Sequence, residues 1–157
     1  MTCKNFSAVI PSPVGPLGIR VEQNKLTGIH FLSGKQAQQT GTETHTVQQE
    51  LESYFKNPKH SFKLLFDFIK GTEFQKKVWH AISQIPSGTT ATYKDLAEKL
   101  KTSPRAIGNA CRTNPIVIVI PCHRVVGKNN LGGFSGETHE GGKLDIKKWL
   151  LKHEGSL

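Results

Sequence analysis

Apolar residues recur at two different spacings along the chain, and the change of spacing divides it into two parts. Short apolar runs come first and predict three strands, at Phe6 to Ile10, Leu17 to Val21 and Leu26 to Leu32. Pro and Gly residues mark the first connection between these strands, and Gln23-Asn24 marks the second. The first part of the chain is therefore predicted to form a small antiparallel sheet.

One helix and one further extended segment follow the predicted sheet. Residues 33–45 are polar and predict a surface loop. Thr46 has Gln49 three positions later, which is a capping-box pattern and predicts that a helix begins there. The stretch from Ser61 to Ile69 favours a strand. Composition changes after it, so we place a domain boundary near Lys70.

Helical spacing dominates from residue 70 onward. Three capping patterns predict helices that begin at Thr72, Thr92 and Ser103. A short turn separates the second of these helices from the third, as in a helix-turn-helix. From this pattern alone, DNA binding and an ordinary pair of short helices are both open. A last helix is predicted from about Leu144 to His153, and one face of it carries Ile146, Trp149, Leu150 and His153.

The apolar run from Ile116 to Ile120 predicts a buried strand or extended segment that ends beside a reactive residue type. Cys122 follows it, with His123 next in sequence. A free thiol has a pKa of about 8.5, so a nucleophilic cysteine needs a base or a cation nearby. Neighbouring side chains in an extended chain point in opposite directions, so we expect a bridging water between the two groups. A buried cysteine without a chemical role is the alternative.

The chain of 157 residues has 21 Lys and Arg against 12 Asp and Glu, a net charge of +9. Residues 1–69 hold 7 basic and 5 acidic residues and residues 70–157 hold 14 and 7, so most of the excess lies in the second part. This distribution suits a nucleic-acid partner, and a basic surface that serves solubility is the alternative. No apolar run approaches the roughly 20 residues of a membrane helix. No secretory signal is visible, so we expect a cytoplasmic protein without a membrane partner.

Metal and cofactor motifs are missing from the sequence. The three cysteines, Cys3, Cys111 and Cys122, have no CxxC spacing and predict neither a disulfide framework nor a metal site. No glycine-rich phosphate-binding motif follows a predicted strand. We therefore expect no cofactor and no metal.

Several separated motifs together resemble one family, the O6-alkylguanine-DNA alkyltransferases, also called methylated-DNA–protein-cysteine methyltransferases. The residues from Pro121 to Val126 (PCHRVV) are similar to its active-site signature. Arg105-Ala106-Ile107-Gly108, Asn114-Pro115 and the stretch from Trp149 to Gly155 follow the family's order. The resemblance is dense from about Phe74 to Gly155 and loose before that.

The resemblance implies direct reversal of DNA damage. A guanine alkylated at O6 is flipped out of double-stranded DNA, and Cys122 takes the alkyl group irreversibly, once per molecule. His123 then deprotonates the thiol through a water and Glu154 orients His123. The substrate-binding residues implied are Tyr93 near guanine N3, Ser135 near O6, Asn114 and Val125. O4-alkylthymine is left open as a second substrate.

The resemblance also implies how DNA is bound. The helix from Pro104 to Arg112 corresponds to a recognition helix that enters the minor groove. Small Ala106 and Gly108 allow close approach, Arg105 fills the gap left by the flipped base, and Arg112 joins the DNA-binding set. Such contacts are mainly to phosphates and therefore sensitive to salt. We expect a monomer in solution.

Three features of the sequence depart from the pattern of the family or of some of its members. Phe134 stands where many members have Tyr, so a hydroxyl is lost. The stretch between Gly136 and Leu144 is longer than in the shortest members, which bears on the tolerance of bulky O6 groups. The zinc site of some animal members is not supported, because Cys3 and His30 leave its ligand set incomplete.

The predicted fold class is α+β. Residues 1–69 are expected to form an N-terminal, ribonuclease-like structural domain, a small antiparallel sheet with a helix. Residues 70–157 are expected to form a mainly helical C-terminal domain with a winged helix-turn-helix that binds DNA and accepts the alkyl group. Three rival hypotheses are a non-enzymatic lesion binder, a helix-turn-helix regulator and a thiol hydrolase. A stoichiometric transfer assay, sequence-specific binding and a turnover assay, respectively, distinguish them.

Overall fold

The computed structural model describes residues 6–33, 41–132 and 142–157. It divides into two compact units, the first containing residues up to Ile69 together with Pro115–Val117, and the second containing the rest. The first holds a small antiparallel sheet and the second is mainly helical, so the predicted α+β class is confirmed. Within the described ranges, no helix has both the length and the apolar character needed to cross a bilayer.

The sheet of the first unit has three antiparallel strands in sequence order. Strand β1 spans Ala8–Ile10, β2 Leu17–Glu22 and β3 Lys25–Phe31. Ile19 on β2 faces Ala8 and Ile29 across the two pairings, and all three side chains are fully buried. Gln23 and Asn24 take positive φ angles of 51° and 63° in the tight turn between β2 and β3. The three strands predicted from the apolar runs are therefore present, with ends shifted by one or two residues.

The helix of the first unit, α1, spans His45–Lys56, and the capping box predicted at Thr46 is wrong. Thr44 holds the N-cap position instead, after a short 3-10 turn at Thr42–Thr44. Thr44 is buried, and its hydroxyl donates to the carbonyl of Gly41 at 2.9 Å. The predicted pattern placed the helix start too late because the buried Thr44 hydroxyl closes the preceding turn.

The strand predicted from Ser61 to Ile69 is reduced to one bridge. Leu26 forms both hydrogen bonds of that bridge, donating to Leu65 O at 2.9 Å and accepting from Asp67 N at 3.0 Å. The returning segment Pro115–Val117 belongs to the same unit through a second isolated bridge, to Ile29. A single boundary near Lys70 did not anticipate this return of the chain.

The second unit begins with three helices whose starts agree with the sequence. Helix α2 spans Glu73–Ser83, α3 Tyr93–Leu100 and α4 Pro104–Arg112. Capping boxes form at the start of α2 and of α3, and Ser103 caps α4 through a 3.1 Å bond from Ala106 N. Lys101, at φ 56°, ends α3 in the left-handed conformation and leads into the short turn before α4. The α3–turn–α4 segment is the predicted helix-turn-helix.

Helix α2 is fixed to α4 by a buried aromatic residue. Trp79 Nε1 donates to the carbonyl of Ala110 at 2.8 Å, and the side chains of Val78, Ile82 and Ile107 are fully buried. Phe74, which shares the apolar spacing of α2, is 37% exposed and lies outside this core. The indole is therefore both a packing residue and the hydrogen-bonded link between two helices.

The segment from Ile116 to Ile120 is not the continuous strand or extended segment that was predicted. Its isoleucine side chains are buried, but Ile118 has a φ of +73° and turns the chain. A β-branched residue in this region of φ is a conformational outlier that surrounding structure must hold in place. The turn redirects the chain before it reaches Cys122.

Substitution Gly71→Ala is expected to destabilise the second unit. Gly71 has a φ of +125°, and a Cβ there would lie 2.7 Å from Trp79 Cζ3. The backbone penalty alone is roughly 1–2 kcal/mol, and displacement of the buried indole adds to it. Gly155→Ala is the matched control, since Gly155 also has a positive φ, +81°, but a Cβ there meets nothing within 4 Å. Urea unfolding should show a larger loss for Gly71→Ala, and equal losses would contradict the steric argument.

Candidate active site

The candidate site is built on a buried 3-10 turn, Cys122–Arg124. Pro121 precedes it with φ −82° and ψ 67°, and Cys122 N donates to Ile120 O at 2.8 Å. These values describe an inverse γ-turn, for which the fixed φ of proline is well suited. Cys122 therefore begins a 3-10 turn that directly follows an inverse γ-turn, and it does not lie at the end of a strand.

Cys122 is held by the side chain of Asn114. The Asn114 amide donates to Cys122 Sγ at 3.2 Å and to Ile120 O at 2.8 Å, so it fixes the thiol and the turn together. Burial raises the pKa of Cys122 well above its ordinary value, and hydrogen bonding with the Cys111 side chain adds to the rise. Asn114 and the charge of Lys147 act in the opposite direction. The resting group is therefore a protonated thiol that needs a base.

His123 and Arg124, the two residues that follow this thiol in the sequence, form a buried cluster with Glu154. His123 Nε2 is 2.8 Å from Glu154 Oε2. Arg124 donates to both oxygens of the same carboxylate, through Nε at 2.8 Å and Nη2 at 2.8 Å. Its other terminal nitrogen, Nη1, donates to Ile85 O. A carboxylate with this many donors stays ionised and accepts the Nε2 proton, which leaves Nδ1 as the basic nitrogen.

The ring nitrogen of His123 that does not face Glu154 is a candidate for the base that the thiol requires. Burial lowers the pKa of His123, an effect partly opposed by Glu154, so the ring is neutral at pH 7. Nδ1 is buried and has no hydrogen-bond partner among the described residues. A water that bridges the His123 ring and Cys122 Sγ stays a prediction.

A two-residue parallel pairing brings Tyr93 to the same site. Strand β4, Ala91–Thr92, runs directly into Tyr93, and it pairs with β5, Val125–Val126, which directly follows the reactive turn. Burial is the main cause that raises the pKa of Tyr93, and the nearby Cys111 and Cys122 raise it further. The phenol therefore stays protonated and can act as a hydrogen-bond donor. A Cβ at Gly132 would lie 2.7 Å from the Tyr93 ring, so this glycine allows the close approach.

Lys147 is a residue of the site that the sequence did not reveal. The last helix, α5, spans Gly142–His153, and its most buried members are Leu144, Lys147, Leu150 and Leu151 rather than the predicted face. Lys147 is fully buried, donates to Val125 O at 2.7 Å and lies 5.9 Å from the centre of the Tyr93 ring. Burial lowers the pKa of Lys147 to about 8. In the sequence, Lys147 stands among apolar residues spaced three positions apart, and this pattern could have indicated a buried lysine.

The structure therefore brings together most of the predicted site residues. Cys122 meets Asn114, and His123 meets Glu154, while Tyr93 and Val125 are joined through Lys147. Arg124 was not singled out from the sequence, although it contacts Glu154 twice. Cys111, for which the sequence analysis predicted neither a disulfide nor a metal, forms a side-chain hydrogen bond with the Cys122 thiol. Ser135, Phe134, Cys3 and most of the longer loop at 137–143 lie outside the described residues.

The residues predicted to bind DNA all lie on α4. Arg105 and Arg112 are exposed, and Ala106 and Gly108 are half-buried. A Cβ at Gly108 would have its nearest neighbour, Tyr93 Cε1, at 4.0 Å, which is an ordinary contact. Packing within the chain therefore does not require a glycine here. In the described part of the chain, no group of three or more His, Cys, Asp or Glu side chains is placed to hold a metal ion.

Comparison with known proteins identifies a single family. Residues 73–156 match the family model described as 6-O-methylguanine DNA methyltransferase, DNA binding domain. The chain is 37% identical to the methylated-DNA–protein-cysteine methyltransferase of Methanosarcina acetivorans over 96% of its own length and 99% of the relative's. It is 35% identical to the constitutive enzyme of the same name from Bacillus subtilis, over 96% and 95%.

Solved structures show the same similarity in three dimensions. O6-methylguanine methyltransferase from Mycobacterium tuberculosis aligns with a TM-score of 0.80 and 32% identity, covering 94% of this chain and 91% of that one. A structure of the Mycobacterium tuberculosis protein in complex with DNA aligns with a TM-score of 0.79 and 33% identity over the same shares. With the sequence matches and the buried cysteine site, these alignments show that the chain belongs to the methylated-DNA–protein-cysteine methyltransferase family.

Proposed function

We propose that this protein repairs O6-alkylguanine in double-stranded DNA by moving the alkyl group onto Cys122. The observation that carries the proposal is that Asn114 donates to the Cys122 thiol while the next residue, His123, pairs with Glu154 at 2.8 Å. It supplies a nucleophile, a neutral base and a carboxylate that fixes the tautomer of the base. The relatives named above act on methylated DNA and transfer to a protein cysteine, as their names state.

The proposed reaction is one displacement at the alkyl carbon. The bond from Cys122 Sγ to carbon forms while the bond from carbon to guanine O6 breaks, and the electron pair leaves with the guanine. The thiol proton passes through a water to His123 Nδ1, where the imidazolium is stabilised by Glu154. The protonated phenol of Tyr93 donates toward N3 of the leaving guanine. A thioether is left on Cys122, and because none of the described residues of the site can cleave this stable bond, each molecule reacts once.

The roles of the two parts of the chain follow from where these groups lie. Cys122, His123, Glu154, Asn114 and Tyr93 all belong to the second unit. We assign DNA binding and alkyl acceptance to residues 70–157 and a structural role to residues 1–69. Because the reaction depends on a reduced thiol, we place the protein in the cytoplasm. It needs no cofactor in this scheme.

Incubation with O6-benzylguanine should add a single benzyl group to the protein. We expect intact-mass spectrometry to show a gain of about 90 Da, the mass expected for one thiol nucleophile that exchanges a hydrogen for a benzyl group. Peptide mapping should place this group on Cys122, and a tenfold excess of reagent should add no second group. Cys122→Ala should abolish the gain, whereas Cys111→Ala should keep it. Transfer to Cys122→Ala would overturn the proposal, and so would failure of the wild type to accept methyl from labelled duplex DNA.

Substitution His123→Asn should remove the base and change the pH dependence of transfer. Burial lowers the pKa of His123, so the wild-type ring stays neutral from pH 7 down to its ordinary value of 6.5, and the rate should fall only at lower pH. In His123→Asn we expect a loss of about 10²–10⁴-fold at pH 7. The remaining rate should rise with pH as the thiol ionises on its own.

The control for this experiment is His80→Asn, which changes an exposed histidine on α2. Single-turnover rates of benzyl transfer from pH 5.5 to 9 provide the measurement. An unaltered pH profile in His123→Asn would show that another group takes the proton.

Substitution Gly108→Ala should separate helix stability from DNA binding. A glycine inside a helix costs roughly 0.5–1 kcal/mol relative to alanine, and a Cβ here meets only an ordinary 4.0 Å contact. We therefore expect a more stable protein that binds duplex DNA more weakly, because the added methyl group holds α4 away from the groove. Thermal melting and fluorescence anisotropy at fixed salt measure the two effects. Unchanged affinity would argue against close approach of DNA at Gly108.

A further inference from the structure

Lys147 is a buried cation to which the reaction scheme above gives no part. Its side chain is fully buried on α5, and Nζ donates to Val125 O at 2.7 Å. Nζ also lies 5.9 Å from the centre of the Tyr93 ring. Two of the residues it touches therefore belong to the predicted substrate-binding set.

Packing alone does not account for a lysine at this position. The other members of its stripe are Leu144, Leu150 and Leu151, so an apolar side chain would continue the buried face of α5. Burying an ammonium group is costly unless its charge is used by neighbouring groups. The hydrogen bond to Val125 O, three residues after Cys122, holds the ammonium group next to the reactive turn. Its charge acts on the thiols of Cys111 and Cys122.

We propose that Lys147 is a positioning residue for the transfer reaction, whose ammonium group stabilises the negative charge that forms on Cys122. Its hydrogen bond to Val125 O also fixes the carbonyl that follows the reactive turn. Lys147 forms no covalent bond and keeps its proton, while the proton of the thiol passes to His123 as before. This inference rests on the proposed function, since it assigns Lys147 to the same sulfur atom.

Groups from three other elements face Lys147, and they determine whether its charge favours or opposes ionisation of the Cys122 thiol. Tyr93 stands at the start of α3, Cys111 lies on α4, and Cys122 and His123 lie on the 3-10 turn. A protonated lysine favours the thiolate of Cys122 and disfavours protonation of His123. Loss of the Lys147 proton removes this stabilisation of the thiolate, so the effect of Lys147 should be present below about pH 8 and vanish above it.

The test compares two neutral variants with a control on the same helix. Lys147→Met removes both the charge and the hydrogen bond, whereas Lys147→Gln removes the charge and keeps a donor for Val125 O. Lys152→Met changes an exposed lysine of α5. Cys122 is alkylated with isotope-labelled iodoacetamide from pH 6 to 10 without DNA, and the label is counted on the Cys122 peptide. Thermal melting identifies any variant that is unfolded at the assay temperature, and the other neutral variant then carries the test.

Both neutral variants should react more slowly than the wild type at pH 7. A rise of one unit in the pKa of the thiol lowers the amount of thiolate tenfold, and the greater nucleophilicity of a more basic sulfur partly offsets this decrease. We therefore expect the rate of alkylation to fall about three- to tenfold. The ratio of wild-type to variant rate should approach 1 above pH 9, and Lys152→Met should match the wild type throughout. A ratio that is independent of pH in the folded neutral variants would show a merely structural lysine and overturn the inference.

Benzyl transfer by the wild type tests the proposed function independently of the role of Lys147. If the pH-dependent ratio is found but wild-type protein takes no benzyl group from O6-benzylguanine, the proposed function fails and the assignment of Lys147 to the Cys122 thiolate stands. If the wild type takes the benzyl group and the ratio is flat, the inference fails and the proposed function stands.

Discussion

The carboxylate of Glu154 is the group on which the arrangement of the site depends. It lies just beyond the end of α5, and its two oxygens contact His123 and Arg124, neighbours on the 3-10 turn, all at 2.8 Å. A buried ion pair of this kind contributes little net stability, but removal of one partner leaves a buried charge that costs about 3–5 kcal/mol. The cluster is therefore more important for geometry than for the free energy of unfolding. It fixes the imidazole ring in the tautomer that leaves Nδ1 free to accept a proton.

The surroundings of Cys122 combine opposite influences on one sulfur atom. Burial and the Cys111 thiol raise the pKa of Cys122, while Asn114 and Lys147 lower it. The balance keeps the resting group protonated, which protects a residue that can react only once from general alkylation and oxidation. In the proposed reaction, ionisation depends on His123, whose lowered pKa keeps the ring neutral and able to accept the proton. The product is an uncharged thioether, so burial carries no charge penalty after transfer.

The sequence was most successful where a structural feature depends on residues close together in the chain. The boxes at Thr72 and Thr92 and the cap at Ser103 are satisfied by bonds spanning three residues, and all three helices begin where predicted. It failed at two buried positions, where packing decides the backbone conformation. The box at Thr46 is absent because buried Thr44 closes the preceding turn, and the run from Ile116 to Ile120 is broken by the positive φ of Ile118.

The sequence by itself indicated the candidate nucleophile and its neighbouring histidine and identified the family, because these depend on residue types in a fixed order. It also placed most of the positive charge in the second part of the chain. Only the tertiary structure decided which groups act on the thiol. Arg124 meets Glu154 across 30 residues and Lys147 meets Val125 across 22 residues, and the sequence assigned neither contact. Nothing in the local pattern of charges assigns those partners, because burial and long-range packing set both their distances and the pKa of each group.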